Sequence, residues 1–190
     1  YIKIPSGEVN NLPLLEQISK KNKTVFLSTG MSSWKEIDQA VKILKNNKLI
    51  IMQCTSMYPC PPNKVGINIF QEFKKKYNLQ LGFSDHTQGN VAAIMALANG
   101  ARYFEKHITL SKRMYGSDAL NSLEPHEFKK YCENLKEALI IQNNPSKKLI
   151  SKHLKNMKLI FEKKIVLKKH MKKNSVLTLK NLGFKKTKKG

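Results

Sequence analysis

Residues 81–110 read LGFSDHTQGNVAAIMALANGARYFEKHITL, and this stretch decides the fold class. Two short apolar runs, Leu81–His86 and Arg102–Leu110, flank a segment with helical character. Asn90 can cap that helix, and Gly100 is a typical residue just beyond a helix end. A strand, a helix and a second strand in succession predict a βαβ unit with parallel strands.

The same alternation extends toward the beginning of the chain. Three further apolar runs precede the first stretch: Tyr1–Pro5, Thr24–Thr29 and Leu49–Thr55. Ser33 and Glu36 form a predicted capping box. Ile67–Tyr77 and Pro125–Ile141 are two more predicted helices, the latter with proline in its first turn. Because the runs are apolar throughout, we expect parallel strands covered on both faces.

Each of the five runs ends in a group of polar side chains. The groups lie at residues 6–8, 28–30, 55–58, 84–87 and 105–107. In a (β/α)8 barrel all strands end at one site. A doubly wound sheet would bring together only the ends near its switch point. Five polar strand ends in succession therefore favour the barrel, and no glycine-rich nucleotide-binding motif argues against it.

Length and the tail define the expected domains. The 190 residues are too few for a complete barrel plus a second domain, and Tyr1 already lies in a strand-like run, so we expect a fragment. Residues 1–144 would form the partial barrel, whose two open edges should make it unstable and inactive alone. Residues 145–160 are predicted to be a basic linker helix, and residues 161–190 the start of a small β-rich module.

The chain is strongly basic, with a formal charge of +22. The positive electrostatic field of such a chain attracts anions, including nucleic acid, without sequence preference. Nucleic-acid recognition usually relies on arginine forks and exposed aromatic rings, and only Arg102 and Arg113 are arginines. We therefore favour a solvated lysine-rich surface and expect no nucleic-acid partner. A non-catalytic basic module that binds acidic polymers remains the alternative from another functional class.

Other features of the sequence bear on location. No apolar run approaches the ~18 residues of a membrane span, so no membrane association is expected. Cys54, Cys60 and Cys132 show no CxxC spacing, which is typical of reduced thiols in a cytoplasmic protein.

His86 and His107 follow consecutive predicted strands. Neighbouring strand ends lie ~5 Å apart, so both imidazoles can reach one divalent ion. Two histidines leave open coordination positions, which suits a metal acting as a Lewis acid on a substrate carbonyl. For three other histidines a surface or hydrogen-bonded core role is favoured: His126, His153 and His170.

A second set of residues lies in or just beyond the first four runs and combines one ammonium with four hydroxyls: Lys3, Ser6, Ser28, Ser56 and Ser84. Together these groups can bind a phosphate, although each serine alone could be a turn or cap residue. Glu8 and Glu105 lie among them. Each is a candidate for proton transfer, with a salt bridge or support of the metal ligands as the alternative.

Six strings occur in order along the chain: KIPSGEVNNLPLLE, VFLSTGMSSWKEI, CTSMYPCPP, GFSDHTQGN, FEKHITLSK and YGSDALNSLEP. As a set they resemble the sialic acid synthase family over residues 1 to about 130. Residues 161–190 look like the beginning of that family's antifreeze-like C-terminal (SAF) domain. The resemblance implies the C-terminal five βα units of a (β/α)8 TIM barrel, its fourth to eighth strands.

The resemblance also implies a reaction. Family members condense phosphoenolpyruvate with an N-acylated aminosugar, such as N-acetylmannosamine, to a nonulosonic acid and phosphate. A divalent Mn2+ or Mg2+ and a domain-swapped homodimer are implied as well. Sialic, legionaminic and pseudaminic acid precursors all remain open as the sugar. Another metal-dependent barrel aldolase or 3-deoxy-keto acid synthase is the alternative reading.

The family's site residues can be carried over by motif. The metal would be held by His86 and His107, and phosphoenolpyruvate by Lys3, Ser6, Ser28 and Ser84, with Ser56 in place of a common asparagine. Glu8 would manage protons at the reacting carbons, and Glu105 would support the metal site through water. The sugar contacts would be Tyr58, Asp118 and Lys186, the last in place of an arginine that reaches the partner subunit's site.

Overall fold

The five apolar runs form one parallel sheet in the computed structural model of the chain, which describes residues 1–186. Its strands are β1 (Ile2–Ile4), β2 (Val25–Ser28), β3 (Leu49–Cys54), β4 (Gln80–Asp85) and β5 (Ala101–Lys106). They are hydrogen-bonded in sequence order, and every pair is parallel. This confirms the predicted α/β class with a parallel sheet. All five strands therefore present their carboxyl ends at the same edge.

Helices connect successive strands. They are α1 (Leu12–Ser19), α2 (Trp34–Ile43), α3 (Ile69–Lys76) and α4 (Val91–Ala98), with α5 (Pro125–Asn143) after β5. The predicted capping box begins α2, since the Ser33 backbone N–H donates to Glu36 Oε2 at 2.7 Å. Asn90 occupies the N-cap position of α4 as predicted, although its side chain makes no capping hydrogen bond. The sequence analysis missed α1, which Asn11 caps by accepting from the Leu14 backbone N–H.

The sheet is curled, so that side chains from strands far apart in the strand order meet on its concave face. A flat sheet would hold β1 and β5 roughly 19 Å apart, at ~4.8 Å per strand step. Instead, Lys3 Nζ of β1 lies 3.4 Å from Glu105 Oε1 of β5. The rings of Phe26 in β2 and Tyr103 in β5 have centroids 5.5 Å apart.

The helices cover the convex face with two apolar clusters. One cluster packs α1 and α2 on the first strands and includes Ile4, Leu15, Val25, Leu27 and Leu44. The other packs α3, α4 and α5 on the later strands and includes Ile51, Phe70, Phe73, Phe83 and Tyr131. Trp34 of α2 packs edge-on against Phe73 of α3, with ring centroids 5.7 Å apart, and Lys76 Nζ lies over the indole. These contacts join the helices into one layer over the sheet.

The chain divides into two units, Tyr1–Pro145 and a second one that begins at Ser146. The second unit contains α6 (Lys152–Phe161) and the antiparallel pair β6 (Lys164–Leu167) and β7 (Leu182–Lys185). The predicted linker helix over residues 145–160 begins too early, because Ser151 Oγ caps the helix by accepting from the Leu154 backbone N–H. Residues 187–190 of the predicted β-rich module lie outside the described residues. None of the helices within residues 1–186 is long and apolar enough to span a membrane.

Phe70 tests the core beneath the later strands. Its side chain is fully buried, so Phe70→Ala should lower the free energy of unfolding by about 3–5 kcal/mol, because it leaves a cavity. Val91→Ala, at a side chain that is 69% exposed, should change it by less than about 0.5 kcal/mol. Urea unfolding followed by circular dichroism measures both. Equal effects of the two changes would contradict the assigned packing.

Candidate active site

The strand ends surround one cavity of about 410 Å³. Among the predicted site residues, the following line it: Lys3, Ser6, Ser28, Ser56, Tyr58, Ser84, His86, Glu105 and His107. They come from all five strands or from the loops that directly follow them. Larger cavities, of about 570 and 780 Å³, lie elsewhere and contain none of these residues. The smaller cavity is therefore the candidate site.

A chain of polar contacts crosses the floor of the cavity. Lys3 Nζ donates to Ser28 Oγ at 2.9 Å and lies 3.4 Å from Glu105 Oε1. Ser84 Oγ donates to the same carboxylate oxygen at 2.7 Å. One ammonium, one carboxylate and two hydroxyls are thus linked by successive contacts. Such a set can bind an anion through the ammonium and hydroxyls while the carboxylate accepts or returns a proton.

Gly30 lets the hydroxyls converge beside this chain. Its backbone N–H donates to Ser6 Oγ at 2.9 Å. A Cβ at this position would lie 2.5 Å from Ser56 Oγ, and 3.0 Å from both Cys54 Sγ and Ser6 Oγ. Real Cβ atoms are essentially never that close to a neighbour, so the backbone here must be glycine for the hydroxyls to keep their places. The sequence analysis did not single out Gly30, and its only signal was its position after Ser28 and Thr29.

The two predicted metal ligands lie side by side. The ring centroids of His86 and His107 are 5.3 Å apart, and Tyr58 covers both, at 4.2 Å and 5.7 Å. His86 Nδ1 lies 2.9 Å from the Thr55 carbonyl oxygen. This contact assigns the proton to Nδ1 and leaves Nε2 as a free electron pair donor. Both the spacing of the rings and this tautomer fit ligation of one ion.

Cys54 is a neighbour of the site that sequence reasoning treated as an ordinary thiol. Its Sγ lies 3.9 Å from His86 Nδ1. Burial by itself lowers the pKa of His86, but the contacts with Cys54 and Thr55 outweigh burial, and the net pKa is raised. Burial likewise raises the pKa of Cys54, while contacts with His86 and Ser6 outweigh it and lower the net value.

The remaining predicted residues lie away from the cavity lining. Asp118 Oδ2 is 3.6 Å from His107 Nδ1, at the start of a short 3-10 helix, Ala119–Asn121. Glu8 Oε2 instead accepts from Asn11 Nδ2 at 2.6 Å. Lys186 belongs to the second unit, where its Nζ lies 4.9 Å from the Phe161 ring centroid. The site roles of these three residues, like those of the residues that line the cavity, stay predictions.

A divalent ion needs several donor atoms around it. Within residues 1–186 no group of three or more His, Cys, Asp or Glu side chains is arranged to hold an ion. His86 and His107 would therefore supply two ligands and leave the other positions open. Open positions are what a catalytic metal requires to contact its substrate.

Fold and cavity together define the class: an α/β protein with a parallel sheet and a cavity lined by lysine, serine and histidine side chains at the carboxyl ends of its strands. Residues 1–147 match the model described as the NeuB family. The chain therefore belongs to the NeuB family.

Named relatives agree with this assignment. The chain is 39% identical over 188 residues to the N,N'-diacetyllegionaminic acid synthase of Campylobacter jejuni, covering 96% of the chain and 56% of that protein. It is 33% identical over 189 residues to human N-acetylneuraminate-9-phosphate synthase, covering 97% of the chain and 52% of that protein. The chain thus spans about half the length of these curated relatives.

A solved structure supports the fold directly. The N-acetylneuraminic acid (sialic acid) synthetase from Leptospira borgpetersenii, crystallised in complex with citrate, superposes with a TM-score of 0.74 at 31% identity. The match covers 83% of this chain and 56% of that one.

Gly30→Ala tests the convergence of the hydroxyls. The new methyl group would displace Ser56, Cys54 or Ser6, so the anion binding predicted for these hydroxyls, probed with phosphoenolpyruvate, should weaken by about tenfold or more. Gly7→Ala is the matched control, since its added Cβ would meet only Met31, at an ordinary 3.8 Å, and binding should stay within about threefold. Calorimetric titration of the intact protein measures both. Unchanged binding in Gly30→Ala would contradict the assigned site.

Proposed function

We propose that the chain is the catalytic part of a nonulosonic acid synthase, which condenses phosphoenolpyruvate with an N-acylated aminosugar and releases phosphate. The observation that carries this proposal is the convergence of nine motif residues, from five strands, on one cavity. Membership of the NeuB family and the names of its relatives support the reaction class.

The proposed architecture is the last five βα units of a (β/α)8 TIM barrel. Sequential parallel order within residues 1–145 supports it, because a doubly wound sheet would reverse its strand order. The curl of the sheet supports it as well, since Lys3 and Glu105 meet across the concave face. We further propose that residues 161–190 begin an antifreeze-like SAF domain, of which β6 and β7 are the described strands.

Phosphoenolpyruvate would occupy the floor of the cavity. Its phosphate and carboxylate carry negative charge, and Lys3 is the ammonium that lines this cavity within the described residues. Ser6, Ser28, Ser56 and Ser84 would donate hydrogen bonds to the same groups. Charge-assisted hydrogen bonds of this kind are the strong ones in proteins. Gly30 would keep the serines close enough to share one ligand.

His86 and His107 would hold Mn2+ or Mg2+ above this floor. When bound, the ion would polarise the aldehyde of the open-chain sugar as a Lewis acid. The Thr55 carbonyl would keep His86 in the tautomer that offers Nε2. Tyr58, which covers both rings, and Asp118, which adjoins His107, would orient the sugar. A raised pKa, caused first by its partial burial, keeps the Tyr58 phenol neutral and able to donate.

The chemistry requires a new carbon–carbon bond and the loss of phosphate. C3 of phosphoenolpyruvate would attack the sugar aldehyde, water would add at C2, and the tetrahedral centre would expel phosphate. Among the described residues that line the cavity, Glu105 carries the carboxylate, and it would accept a proton from the attacking water. Lys3 and Ser84 would hold Oε1 of this carboxylate in place. Glu8 is bonded to Asn11, and its part in proton transfer remains a proposal.

The identity of the sugar stays open among the precursors of sialic acid, legionaminic acid and related acids. Synthases named for both of these products match nearly the whole chain. We also propose a cytoplasmic enzyme that acts as a domain-swapped homodimer, in which Lys186 would approach the partner's sugar. Its single charge cannot form the bidentate fork of an arginine.

Removal of both histidines tests the reaction. The intact protein should release phosphate from phosphoenolpyruvate only when an N-acylated aminosugar and Mn2+ are present, and a chelator should abolish release. His86→Ala/His107→Ala should lower the rate at least about 100-fold, because the aldehyde loses its electrophilic partner. His126→Ala is the control, since that imidazole is exposed and lies outside the cavity lining.

No sugar-dependent release from a folded, Mn2+-loaded protein would overturn the synthase proposal. Salt-sensitive binding of acidic polymers in its place would favour the basic binding module.

Lys3 tests the assignment of the phosphoenolpyruvate site. Lys3→Met should raise the KM for phosphoenolpyruvate by about 10- to 100-fold, because a charge-assisted hydrogen bond contributes about 1.5–3 kcal/mol. The KM for the sugar should change much less. Lys23→Met, at an exposed lysine outside the cavity, should leave both values unaltered. A Lys3→Met variant with an ordinary KM for phosphoenolpyruvate would refute the assignment.

A further inference from the structure

A buried ion pair lies directly behind the two histidines, on the helix-facing side of the sheet. Asp85 ends β4 and Lys106 ends β5, and the two residues are register partners across the strands. Lys106 Nζ lies 3.2 Å from Asp85 Oδ2, and the side chains are 1% and 0% exposed. Each residue immediately precedes one of the histidines, His86 or His107.

Further hydrogen bonds close the network around Asp85. Its Oδ1 accepts from both the Thr87 backbone N–H, at 2.8 Å, and Thr87 Oγ1, at 2.7 Å. Its Oδ2 accepts from the Tyr131 hydroxyl of α5 at 3.2 Å. Lys106 also donates to the Thr87 carbonyl oxygen and lies over the Tyr131 ring. The chain on both sides of His86 is therefore tied to β5 and to α5.

Stability alone does not account for such a pair. Taking two charges out of water costs several kcal/mol per ion, and well-packed apolar residues are often as stabilising. What an ion pair with fixed donors supplies, and apolar packing does not, is one defined geometry between two strand ends.

Side-chain alternation explains how that geometry would reach the site. Successive residues of a strand point to opposite faces, so Ser84 and Glu105 face the cavity while Asp85 and Lys106 face the helices. The backbone then delivers His86 and His107 back to the cavity side, with ring centroids 5.3 Å apart. A fixed distance between residues 85 and 106 therefore sets the distance between the next two side chains.

We propose that Asp85, Lys106 and Tyr131 are positioning residues that set the separation of His86 and His107 for binding of one divalent ion. This inference rests on the proposed function for the identity of the ligand, a divalent metal. It adds a set of residues that never touches substrate and acts through the backbone of the two histidines.

Titration of the intact, metal-free protein with Mn2+, followed by electron paramagnetic resonance, tests the inference without any substrate. Lys106→Met and the milder Tyr131→Phe should each weaken Mn2+ binding, by roughly tenfold for the first, as loss of supporting groups around metal ligands does. Phe73→Leu is the control for general destabilisation, since Phe73 is buried in the core and lines no part of the cavity. It should lower Tm while leaving the Mn2+ affinity within about twofold of the unaltered protein.

The double variant Asp85→Asn/Lys106→Met separates positioning from stability. It buries no charge, so its Tm should recover relative to Lys106→Met alone. Its Mn2+ affinity should remain roughly tenfold lower than that of the unaltered protein, because no ion pair fixes the strand ends. Recovery of the Mn2+ affinity together with Tm, or an equal loss of affinity in Phe73→Leu, would overturn the inference.

Kinetics distinguish this inference from the proposed function. If the unaltered protein binds Mn2+ but releases no phosphate, the synthase proposal fails and the affinities still decide the positioning role. If it releases phosphate while Lys106→Met, Tyr131→Phe and the double variant bind Mn2+ like the unaltered protein, the positioning role alone fails.

Discussion

The contact between Lys3 and Glu105 across the concave face is the constraint on which the site depends. These residues belong to the first and the last strand of the sheet, and they meet only because the sheet curls. In a flat sheet the ammonium would lie far from the histidines and from the carboxylate. The curl thus turns five separate polar strand ends into one cavity. The apolar clusters cover the convex face of the curled sheet.

Two kinds of side chain share that cavity, and their packing differs. The hydroxyl floor is crowded, to the point where Gly30 has no room for a methyl group beside Ser6, Cys54 and Ser56. The histidine pair lies beneath Tyr58, whose side chain is partly exposed. A tight floor and an adaptable rim suit a ligand with a fixed anionic part and a second partner of variable structure. Relatives that act in legionaminic and sialic acid synthesis are consistent with such a division.

Sequence reasoning found the strands and most of the cavity because both leave local signals. Apolar runs followed by polar groups located β1 to β5, and the motifs supplied the serines and histidines. It missed what depends on three-dimensional proximity: the crowding at Gly30 and the contact of Cys54 with His86. The Asp85–Lys106 pair also escaped, because it requires the register of β4 against β5.

Local hydrogen bonds account for the features that the structure places differently from the sequence-based expectation. Glu8 looked like a cavity residue by its place after β1, yet its carboxylate accepts from Asn11 within the same loop. In the second unit, Ser151 sets the start of α6 later than the basic composition suggested. In both places a side-chain hydrogen bond between residues three apart determines the local structure, and strand position or composition alone does not reveal it.

The position of Trp34 has a practical consequence for anyone who studies ligands of this protein. The chain's single tryptophan lies between α2 and α3, against Phe73 and beneath Lys76, and it does not line the cavity. Its emission will therefore report whether the helical layer is assembled and will be nearly blind to what occupies the strand ends. Intrinsic fluorescence can follow unfolding of this unit, whereas ligand occupancy has to be read from the ligand itself.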